Sequence, residues 1–194
     1  MNKISSTQTI HSTLVDVRSQ FDFQVAHAKG SLNLSPSNLS KYALNFLATD
    51  QAITFVVEDD SPETLSELTD KANAIGLTNV QGYVLFAELP ADSLQSIDTI
   101  SAEDFLSLPI DDSFTLLDLR QAAEITRPAP DRNLSNIPIE ELAKEYTKLE
   151  EKQKIYTLCG SGGRATAAAS FLSDKGYKPI VITGGMKAVQ ALNK

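Results

Sequence analysis

The chain has 194 residues, 42% of them hydrophobic, enough for one large or two small globular domains that need no disulfide or metal to hold a core. Its 25 Asp+Glu outnumber 17 Lys+Arg for a net charge of −8, which argues against nucleic acid and anionic membranes as partners, because both are bound mainly through Lys and Arg. One cysteine excludes an internal disulfide. His11 and His27 lie far from it without metal-ligand spacing, no phosphate- or dinucleotide-binding glycine pattern occurs, and no cofactor is expected. No apolar run approaches the roughly 20 residues that span a bilayer. The polar start MNKISSTQTIHST lacks a secretory apolar region, so a cytoplasmic protein is the expectation.

In chain order, a strand is predicted over 13–17 and a helix over 35–47, opened by a proline. A strand follows at 52–58, a helix at 62–75 and a strand at 79–86. The polar, aperiodic stretch 89–99 reads as a linker, with a first domain over 1–90, a connector at 91–97 and a second domain over 98–194. The series then repeats: a strand at 114–119, a helix at 137–149, a strand at 154–159, a helix at 164–175 and a strand at 179–183. TLVDVRSQFDF (13–23) and TLLDLRQAAEI (115–125) share a Leu-x-Asp-x-Arg core, with Asp16 and Arg18 matching Asp118 and Arg120 at an offset of 102. Glu58 matches Cys159 at 101, and Gly76 matches Gly176 at 100. Strands alternating with helices predict an α/β fold: two domains, each a small parallel β-sheet flanked by α-helices on both faces.

The charge is uneven. Residues 1–97 carry 5 Lys+Arg against 11 Asp+Glu, and residues 98–194 carry 12 against 14, so the half with Cys159 repels a small anion less. Cys159 follows the predicted strand KIYTL, and the run Cys159-Gly160-Ser161-Gly162-Gly163-Arg164 leads into a helix. Ligands of parallel sheets bind outside the carboxyl ends of strands. A glycine-rich turn at a helix start can curl its amides around one anionic sulfur and favour a thiolate without a histidine. Arg164 adds a positive charge. The bland alternative is a small buried cysteine beside a tight turn.

The second half resembles a rhodanese domain in Asp118-Leu119-Arg120, in the loop Cys159-Gly160-Ser161-Gly162-Gly163-Arg164-Ala165 and in Gly184-Gly185-Met186. The first half is similar to the same family in Asp16-Val17-Arg18 and in HAKGSLNL (27–34), so the resemblance covers nearly the whole chain as a tandem pair. It implies sulfur transfer. Cys159 would take a sulfane sulfur from a small anionic donor such as thiosulfate, the amides of 160–164 would cradle the persulfide, and a thiol or cyanide acceptor would remove it; a small redox protein could serve as that acceptor. The loop is similar both to thiosulfate-type and to mercaptopyruvate-type members, which leaves the donor open.

The two copies depart from the family pattern differently. In the first, Glu58 stands where the thiol should be, Glu63 stands where Arg164 stands, and VEDDSPE (57–63) is acidic, so this domain is expected to be catalytically inactive and structural or regulatory. In the second, TRPAPDRNLSNIP (126–138) has lost the histidine-containing stretch, a loss that bears on geometry more than chemistry.

Ser161 is read either as a donor to the sulfur or substrate or as a helix cap. Arg120 is expected to pair with Asp118 or Glu124 and hold the strand end. Arg127 and Arg132 could recruit an anion but fit better as solvated surface residues. His27 is read as structural, and Gly184-Gly185 as a tight turn. Two other functions fit less well. A cysteine phosphatase of related fold uses Cys-x5-Arg, one residue longer than the Cys-x4-Arg here, and a smaller ring suits one sulfur atom. A binding module, passive persulfide carrier or redox sensor would need no turnover.

Overall fold

The computed structural model describes residues 1–6, 11–150 and 153–192. The chain divides into two compact units, Met1–Ser96 and Ile97–Lys194.

In the first unit, β1 (Thr13–Asp16), β3 (Leu32–Asn33), β4 (Ile53–Val57) and β5 (Val80–Leu85) form a four-stranded sheet in the order β3-β1-β4-β5, with every pairing parallel. The central strand β4 is buried at all five positions, the pattern of a parallel strand covered on both faces. Helix α1 (Gln20–Val25) is capped by Ser19. Helices α2 (Pro36–Phe46) and α3 (Pro62–Ala74) each begin at a proline, whose missing N–H costs nothing in a first turn, and they pack on each other. The short strand β2 (His27–Ala28) pairs antiparallel with β6 (Leu94–Gln95). The N-terminal residues also join this unit. The Tyr83 N–H donates to the Asn2 carbonyl at 3.0 Å and the Ile4 N–H to the Tyr83 carbonyl at 2.9 Å. Gly82 permits this approach, since a Cβ there would lie 2.4 Å from the Asn2 oxygen.

The second unit has a five-stranded parallel sheet ordered β7-β11-β10-β8-β9, from β7 (Asp98–Ile100), β8 (Phe114–Asp118), β9 (Leu134–Asn136), β10 (Lys154–Leu158) and β11 (Lys178–Ile182). Helices α5 (Ile139–Glu145) and α6 (Gly163–Asp174) pack on each other, as do α4 (Ala102–Ser107) and α7 (Gly185–Ala191). Side chains alternate along a strand. Tyr156 and Leu158 of β10 join Phe105, Met186 and Val189 from α4 and α7 in one core cluster, which leaves Ile155 and Thr157 for the opposite, α6-covered face. Each unit is thus a parallel sheet flanked by helices, the expected α/β class. Among the described residues no helix is long and apolar enough to cross a membrane.

Three stretches differ from the sequence expectation. The segment 91–97, read as a connector, holds a 3-10 turn at Ala91–Ser93 and strand β6, and β7 begins directly after it. The second predicted proline-opened helix is shorter than 137–149, because α5 passes into a 3-10 turn at Tyr146–Lys148. The stretch 126–138 that lacks the family's histidine still delivers the edge strand β9, in the place β3 takes beside β1.

Candidate active site

Cys159 stands at the carboxyl end of β10 and is buried, with 1% of its surface exposed. Its sulfur accepts the Gly162 N–H at 3.2 Å. Gly162 is the N-cap of α6 and holds φ at +103°, a conformation open to glycine but costly for other residues. Ser161 lies one residue before that cap and is exposed, so the capping position belongs to Gly162. Gly163 opens the helix, and Arg164 is its second residue.

A second turn closes on the first. The Met186 N–H donates to the Cys159 carbonyl at 2.8 Å and the Lys187 N–H to the Gly160 carbonyl at 3.1 Å. A Cβ on Gly185 would lie 2.3 Å from the Cys159 oxygen and 3.0 Å from the Ser161 nitrogen. Gly184-Gly185 is therefore more than a turn before the last helix: it is the floor on which the cysteine loop rests. The paired glycines signalled this, but nothing in their spacing said what they would touch.

Beside the loop, the β8–β10 register sets Asp118 next to Leu158, and the Leu119 N–H donates to the Leu158 carbonyl at 2.9 Å. Arg120 folds back on Asp118. Its Nε donates to both carboxylate oxygens at 2.9 and 3.1 Å, its Nη2 donates at 2.7 Å, and its Nη1 reaches the Arg127 carbonyl at 3.1 Å. Asn136 pins the same corner, donating to the Asp118 and Arg120 carbonyls at 2.8 and 2.9 Å. Arg120 thus holds the strand end, as expected. Arg164 pairs through Nη1 with Glu124, which sits on the 3-10 turn Ala122–Glu124 just after Arg120. Glu124, the alternative partner expected for Arg120, instead pairs with Arg164. Arg127 lines an apolar cleft with Leu106, Ala129, Met186 and Val189. Arg132 is not a solvated side chain: it donates to the Leu106 carbonyl at 2.9 Å and to the Leu108 carbonyl, and lies over the Phe105 ring. Among the described residues no group of three or more His, Cys, Asp or Glu side chains gathers as a metal site.

The first unit repeats the corner without the thiol. Arg18 clasps Asp16 in the same bidentate way, and Asn33 donates to the Asp16 and Arg18 carbonyls. The sheet register corrects one assignment. The offset of 102 that relates Asp16 to Asp118 also relates Val56 to Leu158, since Asp16 pairs with Val56 and Asp118 with Leu158. The residue in the place of Cys159 is therefore Val57, and Glu58 corresponds to Gly160. The first loop has one residue more before its helix, with N-cap Ser61 against N-cap Gly162, so the offset falls to 101 only there. Glu63 remains the counterpart of Arg164, each being the second residue of its helix. Glu58 is exposed and lies 3.7 Å from the Arg18 guanidinium.

The rhodanese-like domain model matches twice, over residues 2–84 and 97–192. The chain belongs to the rhodanese family. Its two rhodanese domains coincide with the two compact units, and membership supports sulfur transfer at the level of the family. Among curated proteins, the chain is 31% identical over 102 residues to the "Putative sulfur carrier protein YrkF" of Bacillus subtilis (strain 168), a match covering 52% of this chain and 55% of that protein. The matched region is thus about half of that relative's length. Among solved structures, a rhodanese-related protein from Thermoplasma volcanium is similar at 30% identity with a TM-score of 0.45, covering 49% of this chain and 92% of that one. The thiosulfate sulfurtransferase from Pseudomonas aeruginosa is similar at 14% identity with a TM-score of 0.41, covering 100% of this chain and 43% of that one.

Proposed function

We propose that the second rhodanese domain is a sulfurtransferase that carries a sulfane sulfur as a Cys159 persulfide. The Cys159 thiolate attacks the outer sulfur of the donor. With thiosulfate, the donor's S–S bond breaks, its electron pair leaves with sulfite, and a new S–S bond joins that sulfur to Cys159. An acceptor thiolate or cyanide then removes the terminal sulfur and returns the thiolate, so two half-reactions and ping-pong kinetics follow. The observation that carries this reading is the Gly162 N–H directed at the Cys159 sulfur, within a glycine-rich turn at the amino end of the twelve-residue helix α6. An amide already aimed at the sulfur stabilises negative charge without reorganising. Gly160, Ser161, Gly163 and Arg164 complete the loop that would surround the bound sulfur. The first domain, with Val57 at the equivalent point and an acidic loop after it, takes no sulfur.

A second reading, a persulfide carrier without turnover of its own, is favoured by one observation. Arg164, the cation nearest in sequence to the loop, is engaged by Glu124 rather than held open for an anionic donor. Steady-state thiosulfate:cyanide turnover decides between them. The sulfurtransferase reading expects turnover that Cys159→Ser abolishes; a Cys159→Ser variant as active as the parent would end it, and a parent that accepts sulfur without turning over would establish the carrier.

A further inference from the structure

The Glu124–Arg164 pair lies against the sulfur loop: Arg164 Nη2 is 3.7 Å from the point a Cβ on Gly160 would occupy. Glu124 is fixed from a second side. Its Oε1 accepts the Gln121 N–H at 2.9 Å in a capping box that closes the 3-10 turn. The Arg164 side chain is 16% exposed and the Glu124 side chain 39%. Burial pushes the Glu124 carboxyl up, but the Arg164 hydrogen bond, the Gln121 N–H and the charges of Arg164 and Arg120 outweigh it, holding the carboxyl below the usual range. Glu124 is therefore a carboxylate at neutral pH. The pair belongs to the thiol-bearing copy. In the first unit the counterpart of Glu124 is Asp22, which receives a hydrogen bond from Ser19 on its own helix, and the counterpart of Arg164 is Glu63.

We propose that Glu124 is a specificity-determining residue that neutralises Arg164 at the sulfur loop, disfavours oxyanion donors such as thiosulfate and selects organic persulfides as donors. The proposal rests on the reading of Cys159 as the sulfur acceptor. A thiosulfate dianion approaching Arg164 must displace the carboxylate or lie beside it, and the group that leaves is again a dianion, sulfite. An organic persulfide, R–S–SH, presents less charge. Attack by the Cys159 thiolate on its terminal sulfur breaks the donor S–S bond, the electron pair leaves on a thiolate RS⁻, and the Cys159 persulfide keeps the proton. With the protonated donor one negative charge is present throughout, and with its anion R–S–S⁻ two, where the thiosulfate route carries three. An apolar cleft of about 370 Å³ is lined by Arg127 and by Met186, whose N–H holds the Cys159 carbonyl; none of residues 159–164 lines it, so the selection rests on charge.

The test compares initial rates of the full chain with thiosulfate and with cysteine persulfide, at low ionic strength and with cyanide as acceptor, for the parent, Glu124→Gln and Glu124→Ala. For a partly exposed charge pair, freeing Arg164 should lower the KM for thiosulfate relative to that for cysteine persulfide by about two- to fivefold in both variants, and high salt should shrink the difference. A KM ratio unchanged from the parent, or moved toward persulfide, overturns the role of Glu124. Intact mass separates that failure from a deeper one. A parent that acquires no sulfur from either donor sinks the sulfur-transfer reading together with this proposal, whereas a persulfidated Cys159 with an unmoved KM ratio sinks the proposal alone.

Discussion

Gly185 lies so close to the Cys159 carbonyl that no other residue fits between them: a Cβ would fall 2.3 Å from that oxygen, and φ at Gly185 is +57°. The contact makes the second turn a support for the reactive loop. Gly185→Ala must move the Cys159–Ser161 backbone as well as strain its own, so we expect a loss of about 1–3 kcal/mol of stability. Sulfur transfer should fall more than tenfold, since an ångström of misplacement in a preorganised site costs that much or more. Urea unfolding and sulfur-transfer rates check the two effects. A stable, fully active variant would remove Gly185 from the site.

The buried pair Asp118–Arg120 is predicted to act on the fold before it acts on chemistry. Their side chains are 2% and 6% exposed, and Arg120 also holds the Arg127 carbonyl. Asp118→Ala leaves an uncompensated buried guanidinium, at a cost of about 3–5 kcal/mol, whereas the double variant Asp118→Leu/Arg120→Met should recover much of the loss. Equal destabilisation of the single and double variants in urea would show that the two charges do not depend on each other.

His27 gives the first unit a pH dependence of definite sign. Burial is the main reason its imidazole titrates below the ordinary 6.5; the Phe23 carbonyl on Nδ1 opposes the shift and the Arg18 charge adds to it. The folded state therefore refuses a proton that the unfolded chain accepts. Stability is complete above pH 6.5 and declines below it, until the folded state also protonates. His27→Phe keeps the stack on Phe23, now 3.8 Å between ring centroids, and should flatten the fall in urea midpoint between about pH 7.5 and 5.5. An unaltered slope would exclude His27 as its source.

Much of this was legible in the sequence because it depends on pattern. The duplicated Leu-x-Asp-x-Arg, the proline-opened helices and the strand ending at Cys159 are period and punctuation, and each reappears as an element. What escaped depended on contacts between distant segments. Asn33 and Asn136 look like ordinary loop residues until each is seen bonding two carbonyls of its Asp-x-Arg corner. Residues 2–4 could not be read as partners of Tyr83, because their pairing depends on a gap at Gly82. The counterpart of Cys159 is Val57 and not Glu58, a difference the sequence does not reveal, since a loop insertion of one residue after Val57 looks the same in sequence as one before it. Glu124 carried a sequence signal, four residues beyond Arg120, but its partner came from α6.

The corrected register yields its own prediction. Val57→Cys in a Cys159→Ser background puts the only thiol at the true equivalent position. It should still take up no sulfur, because Glu58, Asp59, Asp60 and Glu63 follow it where the active copy has glycines and Arg164. A negative field of that kind repels an anionic donor and disfavours a thiolate. Efficient persulfide formation at position 57 would mean that loop charge does not decide activity.

The central claim, that Cys159 itself carries the transferred sulfur, is tested most directly by intact mass of the whole chain after exposure to thiosulfate or cysteine persulfide. Cys159 is the only cysteine, so a gain of one sulfur, about 32 Da, that dithiothreitol reverses and Cys159→Ser abolishes is the predicted result. An unchanged mass with both donors, or a gain that persists in Cys159→Ser, would contradict it.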